Sequence, residues 1–181
     1  MSVHGFRRTA TGRIVLRVDV VEKGLLSTLL EQLAEFVTPE GADDEDPLVR
    51  LVGLDPDAER PEDPALARLF PDAYLDDAES AAQFRRFTER SLREAKLAHA
   101  ATALETLRRS GEKVTLSADE ATAWLGALND VRLALGTRLG VTEEGVAELA
   151  ALPDDDPRAA TFHVYDWLTF LQESLVRAVM P

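Results

Sequence analysis

The pattern of apolar and polar positions along this chain is predominantly helical. Apolar residues recur three and four positions apart between residues 20 and 37, and Asp19 and Glu22 have the spacing of a capping box. No Gly or Pro interrupts residues 76–110, which predicts one helix of about 30 residues or two helices joined by a kink. The predicted helices span about residues 20–37, 76–110, 117–140, a short stretch after 142, and 158–179.

A β-hairpin is predicted within residues 1–18. Two short stretches, residues 6–9 and 13–18, lie on either side of a turn-like break at residues 10–12. The whole pattern predicts a mainly α fold. We expect a single-domain helical bundle of residues 1–181 with a short N-terminal β-hairpin.

The segment at residues 38–76 is acidic and rich in proline. Apolar pieces at residues 48–52 and 65–70 each follow an Asp-Pro pair, which predicts two short helices. The acidic run at residues 43–46 lacks the alternating ligands, central Gly and distal Glu of an EF-hand loop. We therefore interpret this run as a solvated loop.

Charge is distributed unevenly along the chain. The net charge is −13, and residues 38–80 alone carry −11, whereas residues 81–111 contain seven Lys and Arg against three Glu. In this basic region, three arginines spaced i, i+4 and i+7 form a stripe on the long helix with a nearby lysine. This candidate interaction surface consists of Arg86, Arg90, Arg93 and Lys96.

The basic stripe has three interpretations. It is a solvated face, it meets the acidic segment of the same chain, or it docks an acidic protein or a phosphate backbone. The overall acidity disfavours binding to nucleic acid through bulk charge, so DNA binding is the second hypothesis. Because exposed charges contribute little to stability, we expect that reversing Arg86, Arg90 and Arg93 to Glu leaves the fold intact.

A second set of polar residues borders the predicted core. The residues expected to share one core are Trp124, Leu128, Val131, Leu135, Trp167, Leu168 and Leu171. Asn129 and Arg132 lie on an adjacent face, and Asp166 in the last helix is a candidate partner for Arg132. Asn129, Arg132 and Asp166 thus form a candidate structural polar network. The alternative is that Arg132 is exposed at the edge of the apolar stripe.

The sequence contains no recognisable catalytic or cofactor motif. It has no cysteine, which excludes disulfides, thiolate zinc sites, iron–sulfur clusters and thiol chemistry. The three histidines are far apart, and motifs for nucleotide binding and serine hydrolysis are absent. No apolar run approaches the roughly 20 residues that span a bilayer. We therefore expect a cytoplasmic, non-enzymatic protein without a cofactor, a metal site or a membrane span.

A resemblance to a known family rests on three segments. These are WLGALNDVRLALGTRL at residues 124–139, the Leu25-Leu26 pair after the hairpin, and the YDWL sequence at residues 165–168. Together they resemble a family of actinobacterial proteins defined as a domain of unknown function. Genes of that family commonly lie beside the gene for the ClpS protease adaptor, and some members are called actinobacterial oxidative-stress regulators.

The resemblance implies a regulatory role in a transcriptional stress response or in regulated proteolysis. Redox-regulated members are associated with a cysteine pair, which this chain lacks. The leading hypothesis is therefore a regulatory protein that acts through contact with an unidentified protein partner. The oligomeric state is left open.

Overall fold

The structure is a computed structural model that describes residues 4–39 and 58–180, and its fold is mainly α, as predicted. The helices in these two ranges are α1 (Val20–Val37), α2 (Pro64–Leu69), α3 (Ala78–Arg109), α4 (Ala118–Leu139), α5 (Val146–Ala150) and α6 (Pro157–Val179). The strands are β1 (Arg7–Arg8), β2 (Ile14–Arg17) and β3 (Lys113–Leu116). The predicted helix at residues 48–52 and the acidic run at residues 43–46 lie outside the described residues.

Local capping interactions place the helix ends close to where the sequence predicts them. Asp19 Oδ1 accepts a hydrogen bond from the Glu22 N–H at 2.8 Å, and Glu22 Oε2 accepts one from the Asp19 N–H at 2.9 Å. Ser117 and Glu120 form the same reciprocal pair at the start of α4. Gly140 ends α4 in the left-handed conformation, with a φ of 65°.

The long helix α3 is continuous. It comprises 32 residues, so its axis is about 48 Å long. Of the two alternatives left by the sequence, the structure thus has one helix without a break. Its N-cap is Asp77, one residue after the predicted start at residue 76, and the Ser80 N–H donates to Asp77 Oδ1 at 3.0 Å.

The predicted hairpin is part of a three-stranded antiparallel sheet with the order β1-β2-β3. The third strand was not predicted. It pairs with β2 so that Leu16 lies opposite Val114, and the inward side chains of both strands are buried. The sheet covers the end of the helical bundle at which α3 passes into α4.

The main core lies among α1, α3, α4, α6 and the sheet. The predicted core residues that are buried are Trp124, Leu128, Val131, Leu168 and Leu171. The Trp124 indole N–H donates to Thr106 Oγ1 at 2.7 Å, and the ring packs edge-on against Phe6. Leu135 and Trp167 are only partly buried at the edge of this core. For Leu135 the reason is that it lines an open groove between α1 and α4.

Two glycines of α4 allow neighbouring helices to approach closely. A Cβ atom at Gly126 would collide with the imidazole of His99 on α3. At Gly136 a Cβ would lie 3.1 Å from the Tyr165 ring on α6. The glycines in the segment at residues 124–139 therefore serve packing on both sides of α4.

Candidate functional site: the cations of the long helix and an apolar groove

The structure divides the predicted basic stripe into residues with different surroundings. Arg86 is exposed and Arg90 is half-buried, whereas Arg93 and Lys96 have 14% and 17% of their side-chain surface exposed. The stripe is therefore not one continuous exposed surface. Its second half faces the protein body.

Arg93 connects α3 to the end of α1. Its Nη2 lies 2.6 Å from Glu89 Oε1, and its Nη1 donates to the backbone carbonyl of Val37 at 2.7 Å. The guanidinium group also lies over the Phe70 ring, 4.4 Å from the ring centroid. Since Val37 ends α1 and Phe70 follows α2, this arginine links three helices.

A buried arginine outside the predicted basic stripe lies one turn before Glu89. Arg85 is only 6% exposed and donates to Glu89 Oε2 at 2.6 Å, to Asp72 Oδ1 at 2.7 Å and to the Phe70 carbonyl at 2.9 Å. Burial alone lowers the pKa of Arg85, but the hydrogen bonds that it donates to Asp72 and Glu89, together with their negative charges, outweigh burial and raise the pKa. We call Asp72, Arg85, Glu89 and Arg93 the ionic cluster.

Lys96 makes a separate contact between α3 and α4. Its ammonium group lies 2.7 Å from Asp130 Oδ1, and Asp130 is 3% exposed. Arg93 and Lys96 thus do not belong to an exposed interaction surface, because both cations neutralise buried carboxylates. The i, i+4, i+8 spacing of Arg85, Glu89 and Arg93, with alternating charge, is a signal that could have revealed this arrangement.

The predicted polar network is rearranged in the structure. Arg132 Nη1 donates to Gln172 Oε1 at 2.8 Å, and the Gln172 amide lies 3.5 Å from Asn129 Oδ1. Asp166 is exposed and does not join these residues. The physical reason is helical geometry: Tyr165, whose ring lies 5.8 Å from the Arg132 guanidinium, shares a face of α6 with Gln172, whereas Asp166 is rotated about 100° away.

An apolar groove of about 280 Å³ separates α1 from α4. Its lining residues are Leu29, Gln32, Leu33, Phe36, Val131, Ala134, Leu135 and Arg138. Arg138 lies at the edge, where its guanidinium is 5.4 Å from the Phe36 ring centroid and 3.5 Å from Asp63 Oδ2. With only two polar side chains, this lining suits apolar side chains of a protein better than a polar small molecule.

The described residues contain neither a metal-binding cluster nor a membrane-spanning helix. In residues 4–39 and 58–180, no group of three or more His, Asp or Glu side chains is arranged to hold a metal ion. Nor does any helix of these ranges have the length and apolar character needed to cross a membrane. The groove and the surface of α3 are accordingly the features from which a function can be argued.

Comparison with known proteins identifies the family. The protein-family model described as "Domain of unknown function (DUF2017)" matches residues 3–179. The chain is 40% identical over 136 residues to proteins named oxidative stress regulator AosR from Mycobacterium tuberculosis (strain ATCC 25618 / H37Rv) and Mycobacterium bovis. It is 39% identical over 136 residues to a putative oxidative stress regulator AosR from Mycobacterium leprae.

Each of these matches covers 68% of this chain and 61% of the relative, so the chain spans about three-fifths of the length of these mycobacterial proteins. No solved structure matches it significantly. The family resemblance inferred from residues 124–139, the Leu25-Leu26 pair and residues 165–168 is confirmed, because the family model covers nearly the whole chain. The protein belongs to the DUF2017 family.

Proposed function

We propose that this chain is a non-enzymatic, cytoplasmic regulatory protein that binds another protein in the response to oxidative stress. The names of the mycobacterial relatives support the process. The observation that carries the mode of action is the apolar groove between α1 and α4. It is an accessible apolar surface that continues directly into the core.

The groove favours one class of partner segment. An amphipathic helix or extended peptide could place apolar side chains against Leu29, Phe36 and Leu135, which are all partly buried and face the groove. Arg138 has 59% of its side-chain surface exposed at the edge, so an acidic residue of the partner could replace its long contact with Asp63. We therefore infer a partner segment with apolar anchors and a neighbouring carboxylate.

The surroundings of the basic stripe favour protein binding over DNA binding. A phosphate backbone needs accessible cations, yet Arg93 and Lys96 already form short ion pairs with Glu89 and Asp130. Recruiting Lys96 to DNA would leave the buried Asp130 without its ion-pair partner, and recruiting Arg93 would leave Glu89 with Arg85 alone. The groove, in contrast, requires no such rearrangement.

The absence of cysteine bears on how an oxidative signal could reach this protein. Reversible peroxide sensing through a thiol requires a cysteine, and the sequence contains none. We propose that the partner senses the oxidant, so that mild peroxide followed by dithiothreitol leaves the circular dichroism of the purified chain unchanged.

A substitution that fills the groove without removing core atoms tests this proposal. Ala134 is half-buried in the groove wall, so Ala134→Trp places an indole where the partner would bind. Ala160→Trp on the exposed face of α6 is the matched control. Each variant is expressed in cells of the native host that lack the chromosomal gene, and survival and transcript levels are measured after peroxide.

We expect the wild-type chain and Ala160→Trp to restore the regulated response, and Ala134→Trp to lose it while retaining its helical circular dichroism. Affinity capture with the three proteins should then identify a partner that is lost only with Ala134→Trp. Full restoration by a folded Ala134→Trp variant would contradict a role for the groove. If the Ala134→Trp variant still binds DNA, and this affinity falls steeply as salt is added, the result would instead support DNA binding.

A further inference from the structure

The side of α3 that faces away from the core carries an unusual row of exposed residues. Phe84 and Phe87 are 46% and 57% exposed, and Ser91, Ala95 and Ala98 are exposed as well. Their spacing of i, i+3, i+7, i+11 and i+14 places all five on one face of the helix. We call these five residues the outer face of α3.

The side chains of the outer face differ in size on the two sides of its middle residue, Ser91: the two Phe precede it and the two Ala follow it. Phe87 and Ala95 are each four residues from Ser91, and Phe84 and Ala98 are each seven residues from it. If a second helix with the same sequence crosses antiparallel at Ser91, each Phe meets an Ala of the other copy. Large side chains then fill the spaces left by small ones, as close helix packing requires.

We propose that the outer face of α3 binds a second copy of this chain and forms an antiparallel dimer whose two-fold axis passes close to Ser91. Such an interface is isologous, because the same surface is used by both copies. The Ser91 hydroxyl already donates to the Thr88 carbonyl at 2.9 Å, so it can be enclosed at the crossing point with its hydrogen bond made.

The charges beside the outer face suit the same pairing. Arg90 and Glu94 lie one turn apart, one residue before and three residues after Ser91, and Glu94 is exposed. A second copy that crosses antiparallel at Ser91 places each Glu94 about two residues along the axis from the other copy's Arg90, on the same side of the crossing. Opposite charges therefore lie near each other in the antiparallel arrangement that side-chain size specifies.

This inference does not depend on the proposed function, because the groove is lined by residues of α1 and α4 and the outer face belongs to α3 alone. A single helix crossing is a small interface compared with a standard one of about 1,600 Å². We therefore expect a reversible dimer whose population rises with protein concentration.

The cysteine-free chain permits a direct test of the register. In the full-length Ser91→Cys variant, the two thiols meet near the axis and a covalent dimer should form on mild oxidation. In Ala98→Cys the two cysteines lie 14 residues apart along the helices, roughly 21 Å, which is too far for a disulfide. Phe84→Cys mixed with Ala98→Cys should cross-link, because these positions lie opposite each other.

Sedimentation velocity supplies the second readout. Phe84→Ala should weaken the dimer at least tenfold, and Ala98→Phe should weaken it because two Phe side chains then collide. Combining Phe84→Ala with Ala98→Phe should restore the wild-type dissociation constant, since the two-fold axis again pairs each Phe with an Ala. Ala160→Phe on α6 is the control for added aromatic surface and should have no effect.

Three results would overturn the proposal. One is a wild-type chain that stays monomeric up to about 1 mM, the concentration at which even weak complexes form. Another is efficient cross-linking of Ala98→Cys alone, which would indicate a parallel pair. The last is a dimer that the double variant does not rescue. If a variant loses the dimer but still gives a normal peroxide response, the proposed role of the groove is unaffected.

Discussion

The two halves of α3 are attached to the protein by different kinds of contact. In the first half, Arg85 and Glu89 are buried and the ionic cluster makes the contacts with α1 and with the residues that follow α2. In the second half the buried residues are mostly aliphatic: Ala100, Ala103, Leu104 and Leu107. One continuous helix thus changes from polar to apolar packing along its length.

The comparison shows what each kind of contact contributes. Aliphatic packing in the second half removes apolar surface from water and tolerates changes of similar volume. The ionic cluster stabilises the fold less in net terms, because its charges are desolvated. It does fix orientation, because Arg85 and Arg93 each donate three hydrogen bonds to defined acceptors. The cluster thereby fixes where Phe70 and Val37 lie relative to α3.

The largest effect is expected for Glu89→Ala. Glu89 accepts from both Arg85 and Arg93, so its removal leaves two largely buried cations near each other without their shared carboxylate. Breaking a buried ion pair in this way costs about 3 to 5 kcal/mol of unfolding free energy. Chemical denaturation followed by circular dichroism measures the loss.

The control for this variant is Glu94→Ala, which removes an exposed carboxylate of the same helix and should change stability by less than about 0.5 kcal/mol. If Glu89→Ala lowers the unfolding free energy as little as Glu94→Ala, water must reach the ionic cluster in solution. The distinction between a buried ionic half and an apolar half of α3 would then fail.

Leu107→Ala tests the apolar half. The Leu107 side chain is fully buried in the main core, and its truncation should cost about 2 to 5 kcal/mol, depending on how far the cavity collapses. Because this substitution neither exposes a charge nor removes the partner of one, the loss of unfolding free energy should be the same in low and high salt. A strong salt dependence of the difference between variant and wild type would contradict the assignment of this half as apolar.

The elements that sequence alone predicts well are those with local signals. The capping boxes at Asp19 and Ser117 and the terminator Gly140 placed α1 and α4 within a residue of their observed ends. The strand β3 was missed because four residues carry little pattern, and its partner β2 lies almost a hundred residues earlier in the chain.

The candidate site shows the limit of the same reasoning. Arg93 was expected to be exposed because its spacing from Arg86 and Arg90 indicates a stripe, but spacing on one helix does not reveal which side the other helices cover. Asp166 was chosen for its neighbours in sequence, although residues adjacent in a helix point about 100° apart. Gln172, seven residues after Tyr165, is the partner that helical geometry selects.

The smallest effect is expected for Arg86→Glu. Arg86 is exposed and forms no ion pair with the described residues, so its reversal should change the unfolding free energy by no more than about 0.5 kcal/mol. Arg93→Glu, in contrast, places a carboxylate against Glu89 beside the Val37 carbonyl and should destabilise the fold strongly. The expectation from sequence, that all three arginines can be reversed together without harm, is therefore revised. Measuring the two single variants under identical denaturing conditions separates the exposed part of the stripe from its buried part, and equal losses would contradict that division.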